Sequence, residues 1–262
     1  MSVTDLAIRP QSRMDRLFDL LDRTDYRAAV TDEDREEIFR LRYDAYVRAN
    51  GISPNFSQRL SDHFDDLDNT TIFGLFVEDE LAATIRVSVA TSEHPECPGM
   101  EVFPKTLEPE LAAGKIIIDP TRLAARDSFS RRYPSLLPYM ITRLPWMVGE
   151  YFKADIILAA VKPEHVSFYE RVFDCRIVGE PGYYPELKAA HYLMFCDFPA
   201  VRDKVNQTQP IFRSSLFERR MLMEHQSLAM SPMLADVGRL ANGALEPMAN
   251  QRRDDAKVAT TV

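Results

Sequence analysis

The chain is poor in several of the features that most often declare a function. It holds three cysteines, Cys97, Cys175 and Cys196. They are odd in number and widely spaced with no CxxC pair, which excludes a disulfide framework and a zinc ribbon and favours a reducing compartment. The glycines, nine among 262 residues, build neither a GxGxxG turn nor a Walker loop, and no GxSxG or HExxH motif occurs. Positive charge is in deficit. With 32 Lys and Arg against 40 Asp and Glu, the net charge is −8 and the pI near 5.2, which argues against a nucleic-acid partner but not against a local basic patch. The longest aliphatic run, Ile156–Val161, is far short of a membrane span, and the first fifteen residues lack the apolar core of a signal peptide. A cytoplasmic protein without a membrane span is expected. The five histidines show no metal-ligand spacing, so no metal site is expected. His63, close to Asp62 and Asp65, reads as part of a solvated loop rather than of a coordination shell.

What is present is an ordinary globular composition, 45% apolar and 27% charged, enough to bury one sizeable core. Met14, Leu17, Phe18 and Leu21 fall at helical spacing within residues 11–23. A short strand is expected over 26–30, and Thr31 with Asp34 three residues on forms a capping box for a helix that Gly51 stops. Residues 71–77 and 81–90 flank the turn Glu78-Asp79-Glu80 as a hairpin. In the second of these strands Leu81, Ala83, Ile85, Val87 and Val89 are expected on one face, with Ala82, Thr84, Arg86 and Ser88 on the other. A Pro-rich excursion fills 91–114. Residues 115–119 are apolar on both faces, the pattern of a central strand, and Pro120 is expected to break its ladder with a bulge or splay. A long helix is read over 135–153, a buried strand over 155–161, a helix from Pro163 to near Asp174, and strands over 175–181 and 190–197. Residues 211–230 read as a helix rich in Met and Phe, and 243–262 as a disordered tail. The divisions expected are an N-terminal extension over 1–25, a catalytic domain over 26–206, a helical extension over 207–242 and the tail. The fold class is α/β, with a mixed sheet splayed beyond the central strand. Such a cleft exposes backbone donors and acceptors to an extended amide-bearing ligand.

Some polar groups stand on otherwise apolar elements. Arg42 lies one helical turn from Tyr46, Arg86 interrupts a strand of small residues, and Asp119 ends the buried strand with Thr121 and Arg122 just beyond. Asp62, Asp65, Asp66 and Asp68 form an acidic run. Arg42 pairing with Asp62 or Asp65 as a purely structural ion pair is the plain alternative. A charge entering the core at the end of a central strand is the strongest single signal of a site.

The segments IFRLRYDAYVRANG (38–51), DHFDD (62–66), TIRV (84–87) and IIIDPTRLAA (116–125) together resemble the N-acyl amino acid synthases of the FeeM type. These are relatives of the acyl-homoserine-lactone synthases within the GNAT acyltransferase fold, and the resemblance covers about residues 26–198. It implies a GNAT-like three-layer sandwich with a mixed, splayed central sheet. The Arg and aromatic pair of the lactone synthases match Arg42 and Tyr46, their acidic pair Asp62 and Asp65, and their strand Arg Arg86. Their Glu-x-Ser/Thr-Arg motif matches Asp119, Thr121 and Arg122, with Asp in place of Glu. Their signature Trp before the acidic pair is missing, the only tryptophan being Trp146, which favours an amino-acid acceptor over lactone synthesis. The segment 168–173 looks like the aromatic GNAT helix, although core packing alone is the plainer reading of its Phe168, Tyr169, Val172 and Phe173.

The resemblance thus implies an N-acyltransferase moving an acyl group from a phosphopantetheine thioester, on acyl carrier protein or CoA, to an amino acid, with no tightly bound cofactor. Asp119 is the expected base, with Thr121 and Arg122 beside it. Arg122, Arg42 or Arg86 would hold the acceptor carboxylate, and Asp62 and Asp65 would orient them or bind the amine. One face of the long helix, which carries Leu136, Leu137, Tyr139, Met140, Leu144, Trp146, Met147 and Phe152, would line an acyl pocket or simply pack the core. No glycine follows Arg122 where GNAT enzymes carry a pyrophosphate loop, which suits a carrier-protein donor. Arg126, Arg131 and Arg132 are the expected docking patch for its phosphate and acidic surface. An acyl-CoA N-acetyltransferase, an autoinducer synthase of the lactone type and a non-catalytic acyl-thioester-binding module remain as alternatives.

Overall fold

The computed structural model describes residues 11–225. The expectations for residues 1–10 and for 226–262, including the tail, lie outside the described residues. Helix α1, Arg13–Leu21, is opened by a Ser12–Asp15 capping box. Strand β1, Thr24–Ala28, begins two residues earlier than the sequence suggests. Helix α2, Asp32–Arg48, has the Thr31–Asp34 capping box and ends before Gly51. Strands β2, Thr70–Val77, and β3, Glu80–Ala90, form the hairpin. The Pro-rich excursion is not irregular. It holds helices α3, Pro98–Val102, and α4, Pro104–Ala112, each opened by a proline whose missing N–H is harmless in a first turn.

Strand β4, Ile117–Ala125, is followed by α5, Asp127–Arg132, and the long helix α6, Leu137–Phe152. Strand β5, Ile156–Val161, precedes α7, Val166–Phe173. Strands β6, Arg176–Ile177, and β7, Gly182–Tyr183, are two residues each, so the strand expected over 175–181 is mostly loop. Strand β8, Ala190–Asp197, leads into α8, Phe198–Thr208. The helix expected over 211–230 is broken in its described part. A 3-10 turn spans Pro210–Phe212, α9 covers Leu216–Arg220 behind its own Ser215 cap, and a π turn covers Met221–His225.

The strand order is β1-β2-β3-β4-β5-β8-β6, with β7 paired to β8. All pairs are antiparallel except β4–β5. One face packs on α1, α6 and α7 and builds the main core around Met140, Leu144, Trp146 and Phe152. The other face packs on α3 and α4 through Phe103, Leu107 and Leu111 and on α2 through Ile38 and Leu41. This is the expected three-layer sandwich with a mixed central sheet.

Two irregularities alter the expected strand faces. A register shift opposite Leu75/Phe76 makes Ala82 an extra residue in β3. Ala82 and Ala83 therefore both enter the α6-side core, while Leu81 joins Ile38 and Ile72 on the α2 side. The expected grouping of Leu81 with Ala83 fails for that reason.

The second irregularity makes the cleft. The ladder from β3 to β4 runs on past Pro120 to Ala125, whereas β4 pairs with β5 only at Ile117↔Ile156 and Ile118↔Ile157. The Ile116 carbonyl accepts from the Asp155 and Ile156 N–H groups, so residues 116, 118 and 120 turn their backbone polar groups toward β5. Pro120 has no N–H to continue that side, and the strands part there. The break is thus on the β5 side alone, not through the whole ladder. Three positions on the hairpin side remain paired beyond it, at Thr121, Ala124 and Ala125, and Arg122 and Leu123 together oppose the single residue Ile85. Arg122 takes φ 54° in this bulge, a left-handed conformation that costs a non-glycine residue about 1–3 kcal/mol and is typical of functional sites.

Candidate active site

Where β4 and β5 part, a cavity of about 810 Å³ opens through the sheet. One end is polar, lined by Asp62, Arg86, Thr121, Arg122, Tyr184, Glu186 and His191. The other is apolar, walled by α6, β5 and α7, with Ile141, Pro145, Trp146, Phe168 and Phe173 among its residues.

The bulge aims Arg122 at the acidic run. Its Nε donates to Asp62 at 3.0 Å, and its Nη2 pairs with Glu186 at 2.7 Å. Arg86 pairs with Asp62 and, at 3.1 Å, with Asp65, while its Nε donates to the Thr121 hydroxyl at 3.0 Å. Arg42 donates to Asp65 at 2.8 Å with both side chains buried. Asp62 and Asp65 cap a 3-10 turn, His63–Asp66, which holds the two carboxylates toward the arginines. Burial alone would raise the Asp62 carboxyl, but Arg86 and Arg122 outweigh it and hold it down to about 2. Burial pulls the Arg42 guanidinium down and Asp65 partly restores it. Burial likewise works against the Arg122 charge, and Tyr46, Asp62 and Glu186 more than compensate, so its pKa is raised.

Asp119 faces α3. It is fully buried, its Oδ2 accepts from the Gly99 N–H at 2.7 Å, and its Oδ1 has no hydrogen-bond partner. The approach favours a residue without a side chain: a Cβ on Gly99 would lie 3.1 Å from that Oδ2, close enough that the carboxylate would have to give way. Burial raises the Asp119 carboxyl, against the Gly99 N–H, the Cys97 thiol and Arg86. The Tyr184 hydroxyl, also buried without a partner, is pushed up by burial and by the Asp119 and Cys97 charges, and pulled down by Arg122 and Arg86. The Tyr184 ring meets His191 edge-on at 5.5 Å, and burial lowers the His191 imidazole below its ordinary value.

Arg86, Asp62, Thr121, Arg122 and Tyr46 therefore gather at the polar end, and Trp146 stands at the apolar end. Arg42 and Asp65 do not reach the cavity; they form a buried brace behind Arg86. Asp119 lies beneath the lining rather than in it. Of the long-helix positions singled out, Leu137 and Trp146 line the cavity, whereas Leu136, Tyr139, Met140, Leu144, Met147 and Phe152 are core. The docking arginines stand apart from the cavity and are largely engaged. Arg126 pairs with Glu37 and donates to the Leu81 carbonyl, Arg131 pairs with Asp127, and Arg132 covers the Tyr133 ring. Among the described residues no cluster of three His, Cys, Asp or Glu side chains is arranged to hold a metal ion.

Gly99, Tyr184, Glu186 and His191 were not singled out by the sequence. A Pro-Gly pair in a glycine-poor chain and the run Gly182-Tyr183-Tyr184-Pro185 were the available signals.

A family model described as "N-acyl amino acid synthase FeeM" matches residues 37–197. No curated protein matches the chain. Among solved structures, FeeM, an N-acyl amino acid synthase from uncultured soil microbes, is similar at 19% identity and TM-score 0.56, over 71% of this chain and 97% of that one. BjaI, a CoA-dependent acyl-homoserine lactone synthase, is similar at 17% identity and TM-score 0.51, over 73% and 90%. The AHL synthase LasI follows at 13% identity and TM-score 0.50, over 69% and 94%. At these identities the structural likeness establishes the fold.

Proposed function

The chain belongs to the FeeM family of N-acyl amino acid synthases and is an N-acyltransferase, and from that premise we propose that it transfers a long acyl group from acyl carrier protein to the amine of an amino acid. The observation that carries this reading is the single cavity through the splayed sheet, polar at one end and apolar at the other. It accommodates a charged acceptor and a hydrocarbon chain on opposite sides of one reacting carbonyl.

In this reading the thioester lies between the parted edges of β4 and β5, and a backbone N–H of the splayed strands faces the developing oxyanion. The amine nitrogen attacks the carbonyl carbon, an N–C bond replaces the C–S bond, and the proton lost by the amine ends on the departing thiol. Asp119 is the base. Its carboxyl is raised by burial and lies beneath the cavity lining, so the proton reaches it by way of a water.

The acceptor carboxylate goes to Arg122. Arg42 is enclosed, and Arg86 is held by Asp62, Asp65 and Thr121. Arg122 alone shares its guanidinium with a half-exposed partner, Glu186, which the incoming carboxylate replaces. Thr121 keeps Arg86 in place, and Tyr46 closes the polar end. A carrier-protein donor is supported by the connection from β4 to α5, a single residue, Arg126, with no glycine loop to cradle a CoA pyrophosphate. Arg132 and the exposed Arg131 offer the carrier its docking charge.

Purified protein supplied with one acyl chain as either the carrier-protein or the CoA thioester, together with a mixture of amino acids, tests both halves. Amine-dependent thiol release with the carrier-protein donor and an N-acyl amino acid product are expected. Acetyl-CoA as the preferred donor, or turnover only with a lactone-forming acceptor, would contradict the reading.

A further inference from the structure

The residues at the apolar end of the cavity are backed from outside the family-matched region, which stops at residue 197. The cavity-lining residues of α6 are Leu137, Pro138, Ile141, Thr142, Pro145 and Trp146, and none follows Trp146. At about 1.5 Å per residue this wall is roughly 13 Å long. Its first turn lies beside Pro134, which is exposed, while Trp146 is 2% exposed. The wall thus runs inward and ends on the indole.

The indole is held by the next segment. Its Nε1 donates to Asn206 at 3.0 Å, and its ring meets Phe198 at 4.8 Å and Phe212 at 5.7 Å between centroids. Phe173, the neighbouring cavity residue at 5.4 Å, is itself backed by Phe212 at 4.9 Å. The segment is in turn anchored to α6. Arg143, almost fully buried, donates to the carbonyls of Ile211 at 2.8 Å and Arg213 at 2.9 Å and pairs with Glu218 at 2.6 Å. Asn206, Phe198 and Phe212 do not touch the cavity.

We infer that the segment from α8 to Arg213 sets the length of the acyl chain, by fixing Trp146 and Phe173 as the end wall of the acyl pocket. The inference rests on the acyl-transfer reading above. A chain one methylene too long either displaces an indole held by a hydrogen bond and two rings of this segment, or stops short and draws its carbonyl out of the cleft. One methylene in a close-packed apolar pocket discriminates by about 10–200-fold. Trp146 touches the chain; Phe212 and Asn206 are positioning residues acting through it.

The test is a series of acyl thioesters of increasing length, with kcat and KM measured for the wild type, Trp146→Phe, Phe212→Leu and Asn206→Leu, and melting temperature checked for each. The wild type should lose about 10-fold or more in kcat/KM per methylene beyond its optimum. Trp146→Phe should move the optimum to longer chains. Phe212→Leu and Asn206→Leu should flatten the fall while leaving short donors and the acceptor KM unchanged. Should Phe212→Leu fail to fold, Trp146→Phe and Asn206→Leu carry the same comparison. Folded variants whose activity drops equally at every length, with the optimum unmoved, would overturn the inference and leave the acyl-transfer reading standing. A wild type that turns over no thioester would overturn both.

Discussion

Asp119 holds one oxygen on the Gly99 N–H and leaves the other without a partner inside the core, a costly arrangement for a group serving structure alone. Asp119→Asn keeps an acceptor for Gly99 and removes the charge, so the fold should survive while turnover falls about 10²–10⁴-fold. Because burial raises this carboxyl and the base works deprotonated, wild-type kcat/KM should climb with pH through a limb above the ordinary carboxylate range. The variant should lose that limb, and a near-normal rate at neutral pH would remove Asp119 from the mechanism. Asp62 carries the opposite shift. Its folded pKa is depressed from 3.8 to about 2, so the stability it contributes is present above the unfolded value and lost as pH falls through that window. Acid titration of the melting temperature should show wild-type stability dropping there, with a shallower slope in Asp62→Asn; equal slopes would contradict the ion-pair account. The third expectation concerns Glu186, which is half exposed and occupies Arg122. Glu186→Gln should lower the acceptor KM with little change in stability, since exposed pairs contribute about 0–1 kcal/mol. An unchanged acceptor KM would place the carboxylate elsewhere.

Pro120 decides the cleft at the level of one strand. Pro120→Val restores an N–H on the β5 side and should let β4 and β5 pair further. Stability should not fall, and turnover should drop by about 10-fold or more, equivalent to ~1.4 kcal/mol; unchanged turnover would show that the splay does not depend on the missing donor. The apolar pattern of 115–119 and the proline itself made this strand and its divergence legible. The side on which the ladder breaks was not legible, because it depends on which way the carbonyl of Ile116 points. Leu81 was placed on the wrong face for a related reason: a bulge at Ala82 shifts the alternation by one, and no residue type marks it. Arg42, Arg86 and the acidic pair did converge, but the sequence could not tell the arginine that meets the cavity from the one enclosed behind it. Asp119 stood out in the sequence by its place at the end of a buried strand, whereas Gly99 and Tyr184, which flank it or the cavity, come from segments far away in the chain and carry no periodic signal.

For the whole molecule, the family-matched region supplies the sheet apart from its edge strand β1, the bulge and the acidic–arginine cluster, and the segment after it locks the far wall of the cavity. Among the described residues the buried arginines are paired with carboxylates: Arg42 and Arg86 against Asp65, Arg86 and Arg122 against Asp62, and Arg143 against Glu218, while the buried Asp119 has no ion-pair partner. Breaking such a pair from one side costs about 3–5 kcal/mol, so any arginine variant needs a stability control before its activity is interpreted. The central claim is that this cavity joins an acyl chain to an amino acid. Mass spectrometry of lipid extracts from cells overproducing the wild type, beside cells overproducing Asp119→Asn at equal soluble level, tests it most directly. The account predicts a new series of N-acyl amino acids, differing by acyl length, in the first extract and its near absence in the second. Extracts indistinguishable from each other and from cells without the protein, or a series as abundant with the variant, would contradict it.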